Sequence, residues 1–168
     1  SLEIGRYGLG ADGKDLSDDP KMKKRLPSRS EIEQKLASPN SQRIFYLRYA
    51  LLTGMTIESI YELSGIDPWF IQQLGQIVAL EREIQTSGTP ISDALLKQAK
   101  EWGFSDVQLA HLTAAEEKDI KARRAELGLR PVYKLVDTCA AEFKAATPYY
   151  YSTYELENEA RVSNRKKV

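Results

Sequence analysis

From Ser28 to Gly128 apolar residues recur at helical spacing, and the intervals between them are filled by capping residues, prolines and glycines. "SRSE" sets Ser28 three residues before Glu31, a capping box that opens a short helix through about Leu36. Ser38-Pro39 reads as a cap and first-turn proline for "PNSQRIFYLRYALLTG", with Ile44, Leu47 and Leu51 on one face and Gly54 ending it. Thr56 caps "IESIYELSG", which Gly65 stops. Asp67-Pro68 opens the longest helix, whose stripe of Phe70, Leu74, Ile77 and Ile84 points at a core before Gly88 closes it. Ser92 caps a helix with Leu95, Ala99 and Trp102 aligned, and Ser105 caps the short "DVQLAHL". Thr113 and Glu116 read as a second capping box, for a helix that ends at Gly128 and buries little beyond Ile120 and Leu127. Its surface carries Glu117–Lys121 and Asp119–Arg123 at the i,i+4 spacing.

Nothing before Leu129 alternates with period two over β-branched residues, so the expected fold class is all-α, a compact bundle of about seven helices. "GMTIESIYELS" from Gly54 and "GFSDVQLAHLT" from Gly103 echo one another, with Ile60 and Leu63 matching Leu109 and Leu112. That echo predicts two similar small lobes. Residues 1–27, rich in glycine and mixed charge, read as an irregular segment lying on the surface, and 129–168 as an extended exit segment.

Composition narrows the function classes. The 168 residues suit one domain, 42% hydrophobic and 29% charged, with no apolar run long enough to span a bilayer. Lys+Arg and Asp+Glu are equal at 24, which promises no positive face for nucleic acid. A single cysteine and no basic-then-apolar leader fit a reducing, cytoplasmic setting. Ser1 rather than Met, running straight into "SLEIGRYG", reads as the interior of a longer chain.

Each chemical motif meets a physical objection. "GRYGLGADGK" lacks both the Gly-x-Gly-x-x-Gly pattern and the Gly-Lys-Ser/Thr ending of a phosphate loop. The echoed units resemble helix-turn-helix pairs, and a DNA-binding regulator is the alternative reading. Their second helices, however, begin with Trp69 and Phe70 or with Glu116 and Glu117, not with base-reading side chains. His111 is the sole histidine, which excludes a multi-histidine metal site. Cys139 lies 28 positions from that imidazole and is followed by Ala140 and Ala141, so a buried packing role outweighs a thiol nucleophile. "TPYYYSTYE" offers stacking faces, yet no Lys or Arg stands between Lys144 and Arg161 to follow a phosphate backbone. Tyrosines of this kind suit a protein seam, apolar at its centre and wet at its edge. Tyr149, Tyr150, Tyr151 and Tyr154 are therefore expected interface residues. Ile32 and Leu36 join them as a self-association surface, because the first helix is short and has few apolar residues with which to hide its own face.

"KLVDTCAAEFKAATPYYYSTYELE" closely resembles the segment that closes the oligomerisation domain of carbamoyl-phosphate synthase large subunits. "SLEIGRYGLGADGKD", "RIFYLRYALLTGMTIESIYELSGIDPWFIQQL" and "AKEWGFSDVQLAHL" extend the resemblance over nearly the whole chain. It implies a helical domain between two ATP-grasp halves of one large subunit, partnered by other large subunits and by a glutaminase small subunit. It also implies that this domain holds no catalytic, cofactor or metal residue. ATP with Mg or Mn belongs to the parent enzyme, which makes carbamoyl phosphate from bicarbonate, ammonia and ATP for arginine and pyrimidine biosynthesis.

Overall fold

The computed structural model describes residues 5–15, 26–138, 142–143 and 149–160. Among them the chain forms seven helices: α1 Arg29–Ala37, α2 Arg43–Leu52, α3 Ile57–Ser64, α4 Pro68–Thr86, α5 Asp93–Glu101, α6 Asp106–Thr113 and α7 Glu117–Glu126. Two short strands follow, β1 Val132–Leu135 and β2 Tyr150–Thr153. The fold is mostly helical, as expected, and the exit segment adds a two-stranded antiparallel ribbon pairing Val132 with Thr153 and Leu135 with Tyr150.

Two cores are built around α4. Its first half supplies Ile71 to a core with Ile32 and Leu36 of α1, Phe45, Leu47 and Ala50 of α2, Met55, and Ile60 of α3. Its second half supplies Leu80 and Ile84 to a core with Leu95, Leu96 and Ala99 of α5, Phe104, Leu109 and Leu112 of α6, and Ile120 of α7. The lobes are copies at a spacing of 49 residues: Ala50 and Ala99, Met55 and Phe104, Ile60 and Leu109, and Ile71 and Ile120 are buried alike. The turns repeat as well. Met55 N–H donates to the Ala50 carbonyl at 3.0 Å, and Phe104 N–H to that of Ala99 at 2.9 Å. Gly65 and Ala114, again 49 apart, both take left-handed backbone after α3 and α6. The echo legible in α3 and α6 thus extends through α2–α3–α4 and α5–α6–α7.

Several local expectations are corrected. Asn40 takes over the turn after α1: its side-chain amide donates to the Ser38 carbonyl at 2.6 Å and its Oδ1 accepts from Gln42 N–H at 3.0 Å. Helix α2 therefore starts at Arg43, not at Pro39. It is enclosed on nearly every side, Phe45 to Ala50 all being buried, while Ile44 is exposed. In α4 the buried face is rotated by one residue, so Ile71 is inside and Phe70 outside. Thr113 ends α6 and does not cap α7, because its hydroxyl donates back to the Leu109 carbonyl at 2.8 Å. The complete capping box is Ser105 with Gln108, which a search for Glu or Gln after Ser or Thr would have found. Glu117–Lys121 forms at 2.6 Å, but Arg123 turns away from Asp119 to reach Asp93 of α5 at 2.6 Å.

The glycine-rich segment before α1 is also more than surface cover, since Ala11 and Asp12 are buried. Gln108 of α6 donates its amide to the Gly10 carbonyl at 2.6 Å, fastening this lead-in to the second lobe. Gly10 has φ 104°, which residues with a side chain rarely adopt, and a Cβ there would also displace Asp15 Oδ1 and Arg6 Nη2 from 2.8 and 2.9 Å.

Candidate interaction surfaces

The densest polar cluster lies where the lead-in crosses α2 and α4. Arg48 pairs with Glu81 at 2.5 Å and with Asp15 at 3.0 Å. Arg6 reaches Asp12 at 3.0 Å, bonds Asp15 as well, and lies 4.7 Å from the centre of the Phe45 ring. Tyr49 donates its hydroxyl to Asp15 at 3.1 Å. Burial opposes the charge on Asp12, but the Arg6 guanidinium and the N–H groups of Tyr7 and Lys14 outweigh it and hold the carboxyl below its ordinary value. Burial likewise opposes the charge on Arg48, and Glu81 with Asp15 reverses that, raising its pKa. Every acid here faces an arginine, so the arrangement ties the two lobes and the lead-in together.

The ribbon is the second feature. Beyond β1 the chain returns so that Glu159 N–H donates to the Tyr133 carbonyl at 2.8 Å, while the Glu159 carboxylate accepts from Leu135 N–H at 2.7 Å. Lys134 lies among Glu155, Glu157 and Glu159 at 3.7, 3.6 and 3.3 Å, which orders the alternating glutamates of "ELENE" on one side. Tyr149, Tyr150 and Tyr151 are exposed, as the sequence predicts for an apolar patch, together with Tyr133 and Leu135. Tyr154 is different: it is half-buried, with the Lys100 ammonium 5.1 Å from its ring centre. Between ribbon and α5 lies a cleft of about 800 Å³ lined by Lys97, Glu101, Arg130, Lys134, Tyr154 and Glu157.

Ile32 and Leu36 do not lie on a surface. Both are fully buried in the first lobe's own core, because α2 and α3 cover the face of α1 that its few apolar residues were expected to leave open. Sequence reasoning instead missed Trp69 and Phe70, which open α4 and are 59% and 58% exposed. Their signal was the internal echo, carried four residues further than the second capped turn. His111 is exposed on α6, and Cys139 lies outside the described residues. Among the described residues no helix is long and apolar enough to cross a membrane.

Residues 1–128 match the family model described as carbamoyl-phosphate synthetase large chain, oligomerisation domain. The chain belongs to this oligomerisation-domain family. It is 50% identical over its whole length to the carbamoyl phosphate synthase large chain of Archaeoglobus fulgidus, covering 15% of that protein. It is 48% identical to the Rhodopirellula baltica large chain over 99% of its own length, again covering 15% of the relative. In Methanopyrus kandleri the similar protein is a large-chain N-terminal section, 42% identical over 95% of this chain and covered to 29%. The oligomerisation-domain match ends just after α7, so β1 and β2 lie beyond it but within the region shared with the large chains.

Proposed function

We propose that this domain is a non-catalytic interaction element of a carbamoyl phosphate synthase large chain, joining its two ATP-grasp halves and mediating association between large chains. The parent enzyme then makes carbamoyl phosphate from bicarbonate, ATP with its divalent cation, and ammonia that a glutaminase small subunit releases from glutamine. That activity serves arginine and pyrimidine biosynthesis in the cytoplasm. The observation that carries this reading is the family match combined with a ribbon whose Tyr149, Tyr150 and Tyr151 are exposed side by side. Rings with hydroxyl tips suit a contact that is apolar inside and hydrated at its rim. The ribbon acts as the strap toward the next ATP-grasp half, with Lys134 holding its own glutamates together and Tyr154 meeting Lys100 of α5.

Hydrogen exchange tests the strap. Amides of Tyr149–Glu155 are expected to exchange more slowly in the intact large chain than in the 168-residue chain alone, and equal exchange counts against it. Light scattering of the intact large chain over a concentration series tests association. A mass that stays at one chain throughout overturns that part of the reading.

A further inference from the structure

The two lobes supply an internal control for every surface position. Trp69 and Phe70 stand at the start of α4 immediately before buried Ile71, their rings edge to face with centroids 5.0 Å apart. At the same place in the second lobe, immediately before buried Ile120, α7 carries Lys118 and Asp119, both exposed. The preceding helix differs between the lobes in another way, Tyr61 on α3 being exposed while its counterpart Ala110 on α6 is small and buried. The fold is therefore built equally well with charged residues at the positions of Trp69 and Phe70. Two large aromatic rings held in water at positions where packing does not need them mark a contact surface.

The surrounding charges specify the occupant. From Thr53 to Glu81 there is no Lys, Arg or His. Glu58 lies one turn before Tyr61, Glu62 follows it, and Asp67 caps the helix that Trp69 and Phe70 open; all three acids are exposed. Arg43 of α2 reaches the Ser64 carbonyl at the end of α3, so three exposed acids face one base, and the patch is aromatic at its centre and net acidic at its rim. A symmetric pairing of two copies through this face would set acidic rim against acidic rim, which costs affinity. A surface with an apolar centre and a Lys/Arg rim complements it. This chain covers 15% of its Archaeoglobus relative, so most of such a protein's surface lies outside the domain.

We infer that Trp69 and Phe70, with Tyr61, form a docking patch for a basic-rimmed apolar surface on a flanking part of the same large chain. The inference rests on the reading of this chain as a domain of a larger synthase, and it adds a second seam distinct from the tyrosine ribbon.

Hydroxyl-radical footprinting of the intact large chain tests it. Trp69 and Phe70 are expected to oxidise several-fold more slowly in the folded chain than in the urea-unfolded chain, with no change on dilution to single chains. Protection should weaken as salt rises, because rim charges are screened. In the variant Trp69→Lys with Phe70→Asp, which copies the second lobe, Tyr61 should oxidise faster while far-ultraviolet circular dichroism is retained. Oxidation of Trp69 at the unfolded rate overturns the docking patch. Protection that appears only in the associated fraction overturns the stated occupant in favour of a second copy, and protection insensitive to salt overturns the basic rim. Light scattering of the same samples separates these results from failure of the association role, since chains can associate while Trp69 stays reactive.

Discussion

Arg48 of α2 and Glu81 of α4 form a two-pronged ion pair inside the molecule, Nε to Oε2 at 2.6 Å and Nη2 to Oε1 at 2.5 Å, with the residues only 4% and 6% exposed. Arg48 belongs to the first lobe, whereas Glu81 lies in the half of α4 that serves the second. The third arm of the guanidinium takes Asp15 at 3.0 Å, so one side chain joins both lobes and the lead-in. Charges of this kind are expensive to desolvate and are kept only when fully paired.

Breaking the pair on one side should therefore cost more than removing it altogether. Arg48→Met strands Glu81 in the interior and is expected to destabilise the fold by about 3–5 kcal/mol. Adding Glu81→Leu should recover most of that loss, because Asp15 keeps Arg6 and Tyr49 as partners. Urea unfolding midpoints of the two variants measure the difference, and a double variant no more stable than the single would contradict this account.

Acid should release the lead-in before it melts the helices. The Asp12 carboxyl is held below its ordinary value, so the unfolded chain binds this proton more readily than the folded one. The stability it contributes is complete above the ordinary carboxylate range and is lost as pH falls below about 4 toward the depressed folded value. Protection of the Tyr7 and Lys14 amides, whose N–H groups bond this carboxylate, should fall there relative to the unfolded rate at the same pH, while far-ultraviolet circular dichroism holds. Asp12→Asn should lack the acid step.

Base should act at the opposite end of the first lobe. The Tyr46 hydroxyl donates to Glu31 Oε1 at 2.8 Å, and burial together with that neighbouring carboxylate pushes its pKa up to about 12. Because the folded value lies above the unfolded one, the stabilisation is complete below about pH 10 and is lost as pH rises toward the folded value. Tyr46→Phe should lower stability at neutral pH by about 1 kcal/mol and flatten the alkaline limb of the stability curve between those two values. An unchanged alkaline limb would remove Tyr46 as its cause.

What was legible in the sequence was local. The hydroxyl and carboxylate caps at Ser28, Thr56, Asp67, Ser92 and Ser105 all accept a backbone N–H as their spacing implies. The exposure of Tyr149, Tyr150 and Tyr151 was legible in an aromatic run followed closely by Glu155, Glu157 and Glu159. Helix faces were misread where burial comes from several sides: α2 is covered around most of its circumference, so no stripe stands out, and Phe70 passed for core because α4 changes lobes along its length. The charge network was invisible because its partners, Arg6, Asp15, Arg48 and Glu81, are far apart in the chain and meet only once both lobes close.

Leu36 shows what that difference means for experiment. On an exposed helix face Leu36→Glu would weaken pairing between copies and leave the helical signal intact. With Leu36 fully buried against α2 and α3, the carboxylate has no partner and the first lobe should lose several kcal/mol, roughly the cost of an unpaired buried charge. Circular dichroism should fall along with any change in mass. A variant that keeps its full helical signal would return α1 to the surface.

Ala114 and Gly65 offer a test of the repeat itself. Both end a short helix in left-handed backbone, at φ 53° and 65°, but only Gly65 lacks the Cβ that makes this conformation costly. Holding alanine there costs about 1–2 kcal/mol, and glycine returns about 0.5–1 kcal/mol of that through the greater freedom of its unfolded chain. Ala114→Gly is therefore expected to stabilise the domain by about 0.5–1 kcal/mol, which raises Tm by about 1–4 °C for a chain of this size. The reverse change in the other lobe, Gly65→Ala, has open space for its new methyl group, so its cost is conformational and should be of similar size with opposite sign. Thermal unfolding of the two variants decides the matter: if Ala114→Gly lowers Tm, the two turns do not carry equivalent strain and the lobes are copies in outline only.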